Sequence, residues 1–215
     1  MDLPSLEKIC GKIRANFDLK DAARERGLTL SREVIRNSAN AIRSVHRGEY
    51  DAARALLAQN ASLVADIDRQ LGAHPDIYYA GFVHDAQKEY AEGLITLALI
   101  AHEPLPDPDE IKVGYAAYLG GLGEAVGELR RHILDQMRHQ QEGWGEELLT
   151  AMDDIYCLLV SFDYPAAISA GLRRTTDVMR SIIEKTRGDL TNAIRQQHLE
   201  DEMRQIEARL GGGEG

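Results

Sequence analysis

Four glutamates carry the chemistry most readily read from this sequence. Glu89 and Glu92 stand at i, i+3 within Gln87-Lys88-Glu89-Tyr90-Ala91-Glu92, and Glu124 and Glu128 stand at i, i+4 within Glu124-Ala125-Val126-Gly127-Glu128. On a helix either spacing puts both carboxylates on one face. Two such helices facing each other would offer four oxygen ligands, a donor set suited to a hard ion such as Mg²⁺, with Mn²⁺ as a substitute. Acids fill 35 of 215 positions, so pairs also arise by chance and context must decide. Glu89 falls in line with Phe82, Ala86, Gly93 and Ile100, where it interrupts an apolar stripe. With Glu92 it leads into Leu94-Ile95-Thr96-Leu97-Ala98-Leu99-Ile100, a segment apolar nearly all round and expected to be buried. A carboxylate there is costly unless paired or metal-bound. Glu124 and Glu128 lie opposite the stripe of Tyr115, Leu122, Val126, Leu129 and Ile133, and alone would read as a solvated face. Beside them run Gly120, Gly123 and Gly127, each costing about 1 kcal/mol in mid-helix relative to alanine, which points to close approach of another backbone.

Arginine usage is the second signal. The chain has 19 arginines to six lysines. Arg32, Arg36, Arg43 and Arg47 lie within about 60° of one another at about 100° per residue. Residues 20–54 hold eight basic and five acidic side chains, a local excess of three positive charges in a protein of net charge −10. The guanidinium fork suits phosphate oxygens, so this face is a candidate RNA-binding surface as well as an ordinary solvated one.

Helices must position these groups. The six prolines, at 4, 75, 104, 106, 108 and 165, leave long stretches rich in Ala, Leu, Arg and Glu with little strand-like alternation. Gly27, Thr29 and Ser31 are expected to separate a first helix (about 5–26) from a second (about 30–47); Gly48 ends the second and Gly72 a third. A fourth is expected over about 76–102, followed by the stiff linker 102–108. Asp107 would cap a fifth helix begun by Pro108 and running to about 140. Gly143 and Gly145 precede a sixth at about 146–161, Pro165 restarts a seventh, and Gly188 divides that from a charged last helix. The expectation is one all-α domain over 1–210, an antiparallel bundle of about seven helices, with 211–215 as a frayed tail.

Several classes are excluded. Cys10 and Cys157 form no CxxC, ruling out a zinc ribbon or disulfide framework. No basic-then-apolar leader opens the chain, and its longest apolar run, Leu94 to Ala101, falls far short of the roughly 20 residues that span a bilayer, so a soluble cytoplasmic protein is expected. No glutamate lies three residues before any of the seven histidines, which argues against a ferritin-like di-iron site. HExxH, P-loop, GxSxG and dinucleotide motifs are missing. Histidines such as His84 and His132 read as surface or satisfied groups.

At the acidic pairs the sequence resembles the translin/Trax family, and within it the catalytic Trax-like branch. Gln87 to Glu92 looks like the QEYVEA segment of translin-associated factor X (Trax). Tyr118-Leu119-Gly120-Gly121 through Glu128-Leu129-Arg130 is similar to its YLLGVADLTGELMR segment, with Glu124 in place of an aspartate. Leu30-Ser31-Arg32-Glu33 through Val45-His46-Arg47 resembles LSRDIT…LLHR, and Phe162 to Pro165 and Lys185 to Gly188 resemble the last two helices. The likeness covers about residues 28–190. It implies an all-helical protomer that assembles into a hollow, typically octameric homo-oligomer without requiring a second subunit type. It also implies a Mg²⁺-dependent endoribonuclease acting on single-stranded RNA, with Glu89, Glu92, Glu124 and Glu128 as catalytic metal ligands. Two alternatives stand beside it: a non-catalytic, translin-like RNA-binding scaffold whose acids are structural, and an all-α nucleotide pyrophosphatase, whose EExxE and ExxD arrangement this chain lacks.

Overall fold

Every regular element among the described residues, 3–138 and 144–211 of this computed structural model, is a helix. In chain order they are α1 (Leu3–His46), α2 (Tyr50–Leu71), α3 (Pro75–Tyr78), α4 (Phe82–Ile100), α5 (Tyr115–Arg138), α6 (Trp144–Val160), α7 (Ala166–Ser169) and α8 (Leu172–Gly211). The all-α expectation holds, and no described helix is long and apolar enough to cross a membrane. Residues 139–143 and 212–215, which include the end of the expected fifth helix, Gly143 and most of the expected tail, lie outside the described residues.

Several boundaries differ from the sequence expectation, each for a physical reason. Gly27 does not end a helix: α1 runs through it, because its missing side chain admits Leu71 (a Cβ would lie 2.9 Å from Leu71 Cδ1) and Phe82. The Thr29 hydroxyl donates back to the Glu25 carbonyl at 2.9 Å, which keeps it inside the helix. Gly188 likewise lies within α8, where cross-helix bonds on either side hold the segment straight: Arg130 to Thr186 and Asp189, and Arg187 to Asp153. The expected fourth helix is divided instead, at Gly81, whose φ of +96° only glycine adopts readily. Pro108 does not open α5. The Asp107 carboxylate accepts the Asp109 amide in a turn, Lys112 takes a φ of +57°, and the helix begins at Tyr115.

The helices form two groups joined through one pair. α1 and α2 make an antiparallel hairpin closed at Gly48, where the Gly48 and Glu49 amides satisfy the Val45 and Ser44 carbonyls. Asn60 pins this hairpin by donating to Val34 O (3.0 Å) and Ser38 Oγ (2.9 Å). α4 packs on both of its helices, and Gly93 gives Leu57 its place. On the other side α5 packs against α6 and α8. α4 and α5 link the groups, and Leu57, Ile95, Leu129, Ile133 and Met179 are fully buried along the way. Buried Gln87 fixes the entry of α5, its side chain accepting the Gly114 amide and donating to the Tyr78 hydroxyl, both at 3.1 Å. The segment 94–100 is buried as its composition implied, with only Leu94 and Leu99 half-exposed; Tyr115, by contrast, is 65% exposed.

The α4–α5 contact is glycine-dependent at Gly121. A Cβ there would lie 2.8 Å from the Glu92 amide nitrogen and 2.9 Å from the Lys88 carbonyl oxygen, so two backbones meet. Of the glycines singled out from sequence, Gly120 contacts only the Lys88 stem, Gly123 meets α8, and Gly127 faces open space. Gly121→Ala is therefore expected to destabilise the protein by about 1–3 kcal/mol, since backbone cannot yield as a side chain can. Gly127→Ala should stabilise it by up to about 1 kcal/mol. Paired denaturant unfolding of the two variants checks both signs.

Candidate functional site

Glu92 is the most deeply placed of the acids. It sits on the α4 face that meets Gly121, and only 8% of it is exposed. Glu89 lies one turn earlier, half-buried, and Glu124 projects from α5 one turn beyond Gly121. One carboxylate oxygen from each of Glu89, Glu92 and Glu124 falls within 4.8 Å of the others. The three line a cavity of about 580 Å³ with Gly123, Arg174, Thr175, Val178 and Ile182.

The field at this cluster is strongly unfavourable to three negative charges. Burial pushes the Glu92 carboxyl up to about 8, with Glu89, Glu124 and Glu128 adding to the effect. Glu89 is raised for the same first reason, burial, followed by the nearby Glu124 charge. The described residues provide one direct counter-charge: Lys88 Nζ donates to Glu124 Oε1 at 2.6 Å. Burial alone would lower the Lys88 ammonium, but Glu124, Glu89 and Asp85 together raise it.

Glu128 is held apart from this trio. Its Oε2 lies 2.5 Å from His46 Nε2 and 3.8 Å from an Arg131 nitrogen. The hydrogen bond from His46 outweighs burial and keeps Glu128 below its ordinary value. The His46 side chain is 4% exposed, and its other nitrogen, Nδ1, is buried without a partner. His132 lies beside it, ring centroids 6.2 Å apart, and burial holds His132 below the usual histidine range. The arginine face lies on the same helix as His46. Arg32, Arg36 and Arg43 are exposed on α1 and Arg47 is exposed in the turn just after it; Arg36 pairs with Glu33 at 3.8 Å, Arg43 with Asn40, and Arg47 with Glu49 at 2.6 Å.

Sequence reasoning thus located three acids that converge and a fourth that neighbours them. It did not single out Lys88, His46 or Arg174 as part of the site. The first two lay inside segments already noted, but only the packing of α4 on α5, and the reach of His46 from the end of α1 to Glu128, pairs them with acids. Arg174 carried no signal beyond the abundance of arginine.

The donor set is chemically suited to a hard divalent cation. Two ligands on opposite sides of Mg²⁺ at about 2.1 Å are about 4.2 Å apart, close to the span of these three oxygens. With all three carboxylates ionised, as a bound cation would require, they and the Lys88 ammonium carry two negative charges, the complement of one divalent ion. An all-helical chain with a carboxylate cluster between facing helices is the class that fold and site define.

No family model matches the chain. It is 30% identical over 193 residues to a Methanocaldococcus jannaschii protein, MJ0175, spanning 89% of this chain and 85% of that one. Among solved structures it is similar to AfC3PO, both alone (TM-score 0.80) and in a complex with duplex RNA (TM-score 0.81), at 30% identity over 87% of this chain and 97% of AfC3PO. It shares its fold with apo-NeC3PO at 21% identity and TM-score 0.73. The chain belongs to the translin/Trax family, whose C3PO members these structures represent.

Glu92 gives a testable electrostatic signature. Its folded value lies above its unfolded one, so the native state binds more protons between about 4.5 and 8, and stability falls as pH rises through that window. In the presence of chelator the melting temperature should decline from pH 5 to pH 8. Glu92→Gln should flatten that decline and melt higher at pH 8; an unchanged slope in differential scanning calorimetry would contradict the buried, unpaired carboxylate.

Proposed function

We propose that the protein is a metal-dependent endoribonuclease of the Trax-like kind, acting on single-stranded RNA in the cytoplasm as a homo-oligomeric, typically octameric shell. The observation that carries this reading is the convergence of Glu89, Glu92 and Glu124 in one cavity with a net deficit of two positive charges. These residues would hold Mg²⁺, or Mn²⁺ in its place, and Glu128 supplies the fourth acid, oriented by His46. When bound, the ion supplies Lewis-acid activation of water and neutralises charge at the scissile phosphate. Hydrolysis adds one water across the phosphodiester: the water oxygen bonds to phosphorus, one P–O ester bond breaks, and the leaving oxygen gains a proton. The carboxylates accept hydrogen bonds from the attacking water and orient it. Lys88, on Glu124 Oε1, restrains that carboxylate at the edge of the cavity.

The arginine face of α1 would grip the RNA backbone through phosphates rather than bases, and it ends at His46, beside the acids. AfC3PO holds duplex RNA in its complex, which supports an RNA ligand for this chain and makes strandedness a point to test. The shell is supported by apolar surface that one protomer leaves uncovered: Leu6, Ile9, Ile13 and Phe17 at the start of α1, and Ile194, Leu199, Met203 and Ile206 late in α8, are each about half exposed or more. The free cysteines Cys10 and Cys157 accord with a cytoplasmic setting. The rival scaffold reading is favoured by the pairing of Glu124 with Lys88 and of Glu128 with His46, contacts that a structural role also explains.

One assay separates the readings. With Mg²⁺ the full chain should cleave a labelled single strand; Glu89→Gln and Glu92→Gln should abolish cleavage while the variants stay folded and still bind RNA. Cleavage intact in both variants would remove these acids from the active site, and a parent chain that binds RNA without cleaving it would leave the scaffold reading in place. Replacing Arg36 and Arg43 together with Ala should weaken RNA binding and reduce its salt slope by about one for each phosphate no longer neutralised. Native mass spectrometry should show a multiple of the 23.9 kDa chain; a lone protomer at micromolar concentration would refute the shell.

A further inference from the structure

The cavity beside the acids has a second wall, supplied by α8, and a single glycine admits it. A Cβ at Gly123 would lie 2.3 Å from Thr175 Cγ2 and 3.3 Å from Met179 Sδ, so α8 can approach α5 this closely only where the side chain is missing. The approach sets Arg174, Val178 and Ile182 opposite Glu89, Glu92 and Glu124. At four-residue spacing these three α8 positions share one helical face.

Two properties of that face point to a ligand. Arg130 and Arg187, on the same α5–α6–α8 group, are committed to Asp189 and Asp153. Arg174 is exposed and forms no ion pair among the described residues, although three carboxylates line the same cavity. Its donor fork is thus available to an anion placed between it and the acids, and its position in the first turn of α8 adds the favourable end of the helix dipole. Val178, although apolar, is 54% exposed, and Ile182 is half-buried beside it. They offer the cavity an uncharged surface with no hydrogen-bonding group.

We propose that Arg174 is a substrate-contacting residue that binds the non-bridging oxygens of the scissile phosphodiester, while Val178 and Ile182 take the apolar face of the adjoining nucleoside. This rests on the nuclease reading above and deepens it. A guanidinium pairs two phosphate oxygens at once, which an ammonium cannot. It faces the acids, so the phosphate is held from both sides and the charge that grows on its oxygens during attack meets a fixed cation. Because Val178 and Ile182 present no donor or acceptor, the subsite accepts any base. A cavity of about 580 Å³ falls in the range of small-ligand pockets, room for one nucleotide.

The test uses the full chain, a fluorescent single-stranded oligoribonucleotide and Mg²⁺. Arg174→Ala should lower kcat by about 100-fold, with melting temperature, native mass and RNA affinity in chelator unchanged, because the α1 arginines supply the grip. Arg174→Lys should retain intermediate activity, and millimolar guanidinium chloride should restore part of the rate to Arg174→Ala but not to Glu92→Gln. Wild-type kcat in Arg174→Ala, beside an active parent, would overturn the assignment of Arg174 and leave the nuclease reading intact. A drop in melting temperature in both Arg174 variants, with no rescue by guanidinium, would overturn it in favour of a structural role. A parent chain that fails to cleave with Mg²⁺ would overturn the nuclease reading and this inference together.

Discussion

The meeting of two backbones at Gly121 is the constraint on which the candidate site depends. The Glu92 backbone is itself part of that meeting, so the helix face bearing Glu89 and Glu92 is pressed directly onto the face bearing Glu124. Any side chain larger than hydrogen would force α4 and α5 apart, and the oxygens that now cluster would separate by a similar amount. The same packing joins the α1–α2 hairpin to the α5–α6–α8 group, so the site lies at the seam that holds the protomer together. Gly123, two residues further along and next to Glu124, repeats the device towards α8. A mid-helix glycine costs about 1 kcal/mol; here the cost is offset by the apolar burial that close helix packing allows.

Electrostatics then shape what the packing has assembled. Like charges about 4 Å apart repel by roughly 4 kcal/mol at an effective dielectric constant near 20. The protein answers this in three ways. Lys88 neutralises Glu124, His46 draws Glu128 aside, and Glu92 is shifted far enough upward to hold a proton near neutral pH. Each response lowers the repulsion without removing the carboxylates; when a cation displaces the Glu92 proton, the three ionised carboxylates and Lys88 carry two negative charges, the complement of a divalent ion. A purely structural cluster would be simpler to build with apolar residues of similar volume, which are often more stabilising than buried charge.

α1 carries exposed arginines as well as the histidine that pairs with Glu128. Its last turn contributes His46 to the acids, and its exposed arginines extend from there along the helix. Each of Arg36, Arg43 and Arg47 has a local partner on α1 or just beyond it, at exposed positions where such pairs are worth at most about 1 kcal/mol. They can be exchanged for phosphate contacts at little cost.

The helical class, the separation of apolar and polar faces and the identity of the four acids were legible in the sequence, because they depend on spacing along one helix. The burial of residues 94–100 was legible for the same reason. Where helices begin and end was less so. Gly27 and Gly188 look like stops from composition, yet one makes room for Leu71 and Phe82 and the other is spanned by bonds from neighbouring helices. Gly121, with no more local signal than Gly127, proved to be the glycine that matters, since only its place in the packing distinguishes them. The sequence determined which side chains share a face. The tertiary structure alone decided which faces meet, and so separated Glu128 from the other three acids, paired Lys88 with Glu124, and set Arg174 across the cavity. Those pairings join residues far apart in the chain, and no periodicity within a helix encodes them.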